Sequence, residues 1–323
     1  MTQTLKQFLN SLENRPLAAL IESAANGVKI IADAMRGSSK QSGGSGQLSG
    51  YSTVKNVQGE TQAELDIFAD KVMTDAFFSS GAVAALVSEE QPEMLLGGNA
   101  NAEFVVAHDP LDGSSNIPFN IPVGTIFTVF RRANLAVPPS VADYFQPARG
   151  LCAAGYAVYG LATQFVFSAG NGVIDAVLEG ASNEFIVRNI ALKQQPNGVI
   201  FSVNEGNALS FSAPIQLFLS ELKNSGLYSG RYVGSLVSDF DRNLRKGGIY
   251  LYPADSKNIK GKLRLLYECM PLAFMAEQAG GSSFDGQSSI LDVIPTAIHQ
   301  RSPLFIGSQR EVLQLARLIS AET

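Results

Sequence analysis

Val105-Val106-Ala107-His108-Asp109-Pro110-Leu111-Asp112-Gly113-Ser114-Ser115-Asn116 is the stretch from which the rest of the chain is read. An apolar, β-forming run leads into two carboxylates separated by two residues, and glycine and hydroxyl residues follow at once. Carboxylates at a strand end can hold a hard cation through oxygen ligands. Glycine and serines entering a helix leave backbone N–H groups to face an anion. A cation pocket beside an anion pocket suits phosphate chemistry.

Upstream, the pattern recurs. Residues 82–88 form an apolar run that ends in Glu89-Glu90, so two carboxylate-tipped segments point to one shared cation site. Before them, Leu17, Leu20, Ile21, Ala24, Val28, Ile31 and Met35 have the spacing of a helix with one buried face. Residues 37–46, rich in glycine and serine, read as a flexible loop, either a surface linker or a lid over the site. Gly59-Glu60-Thr61-Gln62 opens the next helix, with Leu65, Phe68 and Val72 on one face. Taken alone, Glu60 and Asp66 read as solvated helix charges.

Downstream, β-rich segments at 123–131, 151–159, 163–168 and 173–178 suggest a mixed or mostly antiparallel sheet. The polar run 189–197 reads as a domain boundary, dividing the chain into 1–192 and 193–323. Beyond it come a strand at 199–203, helices at 211–224 and 236–245, a strand at 249–252, a helical pattern over 263–279, a strand at 304–306 and a helix at 308–320. Pro271 should kink the 263–279 segment or mark a helix's first turn.

The 323 residues carry a net charge of −5, which excludes a basic nucleic-acid footprint. No run is long enough to span a membrane, and the N-terminus lacks an apolar signal core. Two cysteines favour a reducing, cytoplasmic setting over a disulfide framework, and two histidines supply a zinc site poorly. The acidic set Glu60, Asp66, Glu89, Glu90, Asp109, Asp112 and Glu268 would repel itself if it converged without a cation. Magnesium accepts such oxygen ligands, and the Leu111 carbonyl between the two aspartates could join them. A second set, Arg231, Tyr232, Tyr252, Lys262 and Arg264, offers phosphate and sugar contacts.

At Asp109–Asn116 the chain resembles the metal-dependent, lithium-sensitive sugar phosphatase superfamily. The further runs GETQAELD (59–66), VSEE (87–90), NEGN (204–207), RYVGSLVSDFDR (231–242), YLYPAD (250–255), KGKLRLLYE (260–268), QAGG (278–281) and PTAIHQRSPLFIGS (295–308) narrow the resemblance to the class I fructose-1,6-bisphosphatase family, over nearly the whole chain. The resemblance implies a layered α/β fold with mixed sheets between helix layers. It implies magnesium (manganese as a substitute) on Glu89, Asp109, Asp112, Glu268 and the Leu111 carbonyl. Asp66 and Glu90, helped by Glu60, would activate the attacking water. Asp112, Gly113, Ser114 and Ser115 would lie beside the reacting 1-phosphate, and Asn204, Tyr232, Tyr252 and Lys262 would hold the sugar and its 6-phosphate. Arg231 would reach a neighbouring subunit's site in a homotetramer, and residues 38–58 match the family's mobile catalytic loop.

The expected activity is hydrolysis of fructose 1,6-bisphosphate in gluconeogenesis. The alternatives are a sedoheptulose-1,7-bisphosphatase, an enzyme of both sugars, or a silent sugar-phosphate sensor. Departures from the family's pattern concern inhibition. Animal members hold AMP with a Thr-Gly-Glu-Met-Thr turn and a Lys-Tyr pair. This chain has Asn14-Arg15-Pro16-Leu17-Ala18 and Glu103-Phe104 instead, retaining Arg131, so AMP inhibition is expected to be weak or absent. Asn207 stands where the family has a tyrosine contacting the 6-phosphate.

Overall fold

A computed structural model describes residues 3–37, 51–55 and 61–321. The lid reading of residues 38–58, apart from the backbone of 51–55, and the assignment of Glu60 lie outside the described residues. The chain opens with α1 (Leu5–Leu9) and α2 (Arg15–Met35), the latter capped by Asn14, whose side chain accepts from the Leu17 N–H. Two short strands follow, β1 (Tyr51–Lys55) and β2 (Thr61–Ala63), then α3 (Glu64–Ser79). The helix expected from 59 therefore begins at Glu64, because 61–63 pair with β1 instead.

The next strands are β3 (Val83–Ser88), β4 (Leu95–Leu96), β5 (Phe104–Asp112), β6 (Val123–Arg131), β7 (Ala153–Tyr159), β8 (Thr163–Ser168), β9 (Val173–Glu179) and β10 (Glu184–Leu192). They form one eight-stranded sheet in the order β10-β9-β8-β7-β6-β5-β3-β4. All neighbours are antiparallel except β3 and β5, which run parallel. The polar run 189–197 is thus not wholly a loop, since its first four residues complete the edge strand β10. Its solvent-facing polar side chains are what an edge tolerates.

The second half contributes β11 (Ile200–Ser202), α4 (Ala213–Asn224), β12 (Ser229–Gly230), α5 (Leu236–Lys246), β13 (Gly248–Tyr252), β14 (Leu263–Arg264), α6 (Met270–Gln278), β15 (Ser282–Phe284), β16 (Arg301–Ser302), β17 (Leu304–Gly307) and α7 (Gln309–Ser320). Five of these strands form a mixed sheet in the order β12-β11-β13-β17-β15.

Strand periodicity sorts the apolar residues into three cores. Val106, Phe127, Val129, Phe165 and Phe167 face α1, α2 and α3. Their alternates Val105, Ala107, Phe130 and Val166 face α5 and α6, which also receive Tyr250, Leu304 and Ile306 from the second sheet. Ile249, Leu251 and Phe305 turn the other way, onto α4 and α7. The result is a helix–sheet–helix–sheet–helix stack, the layered α/β fold with mixed sheets expected from the sequence. Its middle helix layer is buried on both sides, and the carboxylate-tipped strands end beside that layer.

Candidate active site

β3 and β5 are buried along their whole length, as strands covered on both faces should be. They pair in register, Ser88 opposite His108, so Glu89-Glu90 leaves β3 level with Asp109 on β5. Asp109 and Asp112 are three residues apart, which in a regular strand would put them on opposite faces. A bulge resolves this. Asp109 pairs with Ile126 and Asp112 with Gly124, so three steps on β5 oppose two on β6. The bulge is braced by Thr125, whose hydroxyl donates to the Pro110 carbonyl at 2.8 Å and lies 2.7 Å from the Tyr159 hydroxyl. Gly124 is required opposite it: an added Cβ would stand 2.3 Å from the Ala157 carbonyl oxygen and 2.5 Å from Val237.

The third carboxylate arrives from another layer. The helical pattern over 263–279 is three elements: β14, a single π-helical turn at Leu265–Cys269, and α6 with Pro271 in its first turn. The π turn carries Glu268, whose carboxylate accepts from the Arg264 N–H. Such turns recur where a side chain must be re-aimed at a functional site. One oxygen each of Asp109, Asp112 and Glu268 lies within 4.8 Å of the others, and all three residues are buried. Burial raises every one of their pKa values, and mutual repulsion together with Glu89 adds to it. Asp112 rises to about 7, held back by the Val237 N–H that it accepts at 3.1 Å. A divalent cation among these oxygens relieves both the desolvation and the repulsion, so the donor set fits magnesium, a hard ion with oxygen ligands.

The acids open onto a cavity of about 240 Å³. Asp66, Glu89, Glu90, Asp109, Leu111, Asp112, Gly113, Ser114, Ser115, Tyr232, Tyr252, Lys262 and Glu268, all singled out in the sequence, line it. Two of these differ from their local reading. Asp66 is not a solvated helix charge; it is 4% exposed, at the head of a buried stripe Asp66, Asp70, Met73 and Phe77 on α3. Gly113-Ser114-Ser115 does not enter an α-helix. Gly113 sits at φ +79°, and a 3₁₀ turn follows over Ser114–Phe119. Asn204 and Arg231 do not line the cavity. Asn204 caps the turn that follows it, accepting from the Gly206 N–H, and Arg231 is exposed, donating to the Gly230 carbonyl.

Sequence reasoning missed Tyr250 and Arg301, which also line the cavity. Tyr250 was findable, since it lies two residues before Tyr252 and shares its face of β13. Burial raises Tyr232 to about 12 and raises Tyr252, with Arg301 pulling Tyr252 the other way. Both hydroxyls are therefore neutral donors at pH 7, suited to phosphate or sugar oxygens. Arg264, buried, stands 3.9 Å from Glu89.

The model of the fructose-1,6-bisphosphatase N-terminal domain matches residues 2–189, and that of the C-terminal domain matches 194–320. Among solved structures, the fructose-1,6-bisphosphatase of Leishmania major in its holo form is 34% identical, covers 99% of each chain, and superposes with a TM-score of 0.92. With family matches over nearly its whole length and this cavity where the two sheets meet the middle helices, the chain belongs to the fructose-1,6-bisphosphatase family.

Proposed function

We propose that the protein hydrolyses the 1-phosphate of fructose 1,6-bisphosphate, giving fructose 6-phosphate and phosphate. The observation that carries the reading is one cavity lined both by the buried cluster Asp109, Asp112 and Glu268 and by Lys262, Arg301 and tyrosine hydroxyls. A carboxylate cluster needing a cation and a separate cationic lining together suit a sugar with two phosphates.

Glu89, Asp109, Asp112, Glu268 and the Leu111 carbonyl would hold magnesium, or manganese in its place. When bound, the metal supplies positive charge to phosphate oxygens and makes water more acidic. Asp66 and Glu90, assisted by Glu60, take the proton of the attacking water. Its oxygen bonds to phosphorus in line as the bond from phosphorus to the sugar's C1 oxygen breaks, and that oxygen takes up a proton from solvent to leave as the C1 hydroxyl. Gly113, Ser114 and Ser115 orient the 1-phosphate beside Asp112. Tyr232, Tyr252 and Lys262 hold the sugar and 6-phosphate within the cavity, Asn204 stands outside its lining, and Arg231 reaches the neighbouring site of a homotetramer. The exposure of Arg231 outside its own chain's cavity supports that last role. In this reading residues 1–192 supply most of the metal site and 193–323 the sugar grip, and the enzyme serves gluconeogenesis in the cytoplasm. The two free cysteines agree with a reducing compartment.

Phosphate release from fructose 1,6-bisphosphate, sedoheptulose 1,7-bisphosphate and fructose 6-phosphate, each with magnesium or with EDTA, tests the proposal. Release should be fastest from the fructose bisphosphate, should stop in EDTA, and should be abolished by Asp109→Asn. Equal rates on the monophosphate would remove the bisphosphate reading. A faster rate on the sedoheptulose ester would reassign the substrate.

A further inference from the structure

One buried carboxylate near the site is not used by the mechanism above. Asp70 lies one turn after Asp66 on the buried stripe of α3 and is 6% exposed. Its two oxygens have separate partners: Ser88 Oγ donates to Oδ1 at 2.5 Å, and Gln91 Nε2 donates to Oδ2 at 2.6 Å. Ser88 and Gln91 flank Glu89 and Glu90, so both grips fall on the turn that carries those two acids. The same Oδ1 stands 3.9 Å from Nε2 of His108, the residue before Asp109, and His108 is Ser88's register partner across the parallel pair. Neither ring nitrogen of His108 finds a hydrogen-bond partner among the described residues. The Glu89 N–H in turn donates to the His108 carbonyl at 3.0 Å.

We propose that Asp70 is a positioning residue for the metal site: it locks the Ser88–Gln91 turn to α3 and thereby fixes Glu89 and Glu90 relative to Asp66 and Asp109. Past the Glu89–His108 bond the turn leaves the ladder, and the backbone bond it then makes is local, from the Gln91 N–H to the Ser88 carbonyl at 3.3 Å. A buried carboxylate accepting two side-chain donors provides the restraint, because charge-assisted bonds are the short and strong ones. Partners that orient ligands without touching the metal commonly change its affinity by about 10–100-fold. Asp70 is placed for that role from the helix that also carries Asp66. The inference rests on the metal assignment made under Proposed function.

The test is manganese binding to the metal-free full-length protein, followed by calorimetry and by the spin-resonance signal of free ion, far below the unfolding temperature. Asp70→Ala should weaken binding about tenfold, within the range for orienting partners, with an unchanged number of sites. Magnesium for half-maximal activity should rise by a similar factor. Asp70→Asn keeps an acceptor for Ser88, and Gln91 can turn its amide to accept from the new Nδ2, so this variant should bind close to the parent. Should Asp70→Ala not fold, Ser88→Ala removes a single bond and should weaken binding by a smaller factor. Folded Asp70→Ala or Ser88→Ala that binds manganese as tightly as the parent overturns the proposal, whatever its thermal stability. A parent that binds no manganese, or that is indifferent to Glu268→Gln, overturns the metal assignment instead.

Discussion

The strain of the acidic cluster should be measurable as a pH dependence of the metal-free fold. In that state Asp112 titrates near 7 rather than at its ordinary 3.8, chiefly through burial. The shift is about three units, and at ~1.4 kcal/mol each an ionised Asp112 costs the metal-free fold at most about 4 kcal/mol. The sign follows from proton counting. Between pH 4 and 7 the folded carboxyl retains its proton while the unfolded one has lost it. Stability from this group is therefore full below pH 4 and declines as pH rises through 7. Asp112→Asn removes the titration yet keeps an oxygen to accept the Val237 N–H. In EDTA, urea unfolding from pH 5 to 8 should show the parent losing stability relative to Asp112→Asn as pH rises. Asp109 and Glu268 are raised in both proteins, chiefly by burial, but the Asp112 charge adds to both shifts, so the difference between the two curves reports Asp112 together with its repulsion of these two. Saturating magnesium should reverse the order at pH 8 by binding the parent's fold more tightly. A difference that is flat with pH in EDTA would show that the cluster stores no such strain.

Two further outcomes follow from particular contacts. Arg245 on α5 donates to Asp175 on β9 at 2.7 and 3.0 Å and to Asp241 at 2.9 and 3.0 Å, and both carboxylates are buried. Arg245→Met should cost about 3–5 kcal/mol by chemical unfolding because it strips charge from a buried network, and a loss below about 1 kcal/mol, the worth of an exposed pair, would refute this. Arg131, which the sequence resemblance links to AMP binding, is ion-paired with Glu103 and lies 5.4 Å over the Phe104 ring. AMP should therefore inhibit weakly or not at all across a titration in the activity assay; steep inhibition abolished by Arg131→Ala would show that the pair yields to phosphate.

The legible part of this protein was what regular periodicity and clustered chemistry expose. The apolar runs ending in Glu89-Glu90 and at Asp109 showed where the acids gather, and the strand and helix pattern showed layers. Four things stayed hidden for physical reasons. The convergence of Asp109 and Asp112 depends on a bulge, and a bulge is a property of the pairing with β6, not of β5 alone. The π turn at Leu265–Cys269 looks helical in sequence because one π turn shifts the period by a single residue. Asp66 read as exposed because an isolated helix acid usually is; its place became visible only with Asp70, Met73 and Phe77 on the same stripe. Arg301 carries no local signal at all, since what brings it to the cavity is the pairing of β16 with β14.

Polar contacts of this kind also explain the place of α5, a helix of 11 residues between the acidic cluster and the tyrosine-lined side of the cavity. At its start, the Val237 N–H holds Asp112. Asp239 accepts from the Val233 and Gly234 N–H groups, fixing the segment that carries Tyr232, and Asn116 donates to the Gly234 carbonyl from the far side. Arg242 ties Asp239 to Ser202 and to the Arg231 carbonyl. At its end, Arg245 grips β8 and β9 through Gln164 and Asp175, while Tyr156 on β7 donates to Asp241. An apolar helix of the same shape could match this one in stability, because buried ion pairs recover little beyond their desolvation cost. It could not match it in aim. Apolar packing tolerates sliding and repacking, whereas each of these donors has one acceptor in one direction. A reaction that needs a phosphorus atom set among carboxylates, while a second phosphate is gripped from another layer, depends on that fixed offset. The polar lattice of α5 is therefore best understood as what sets the distance between the acidic cluster and the tyrosine- and lysine-lined side of the cavity.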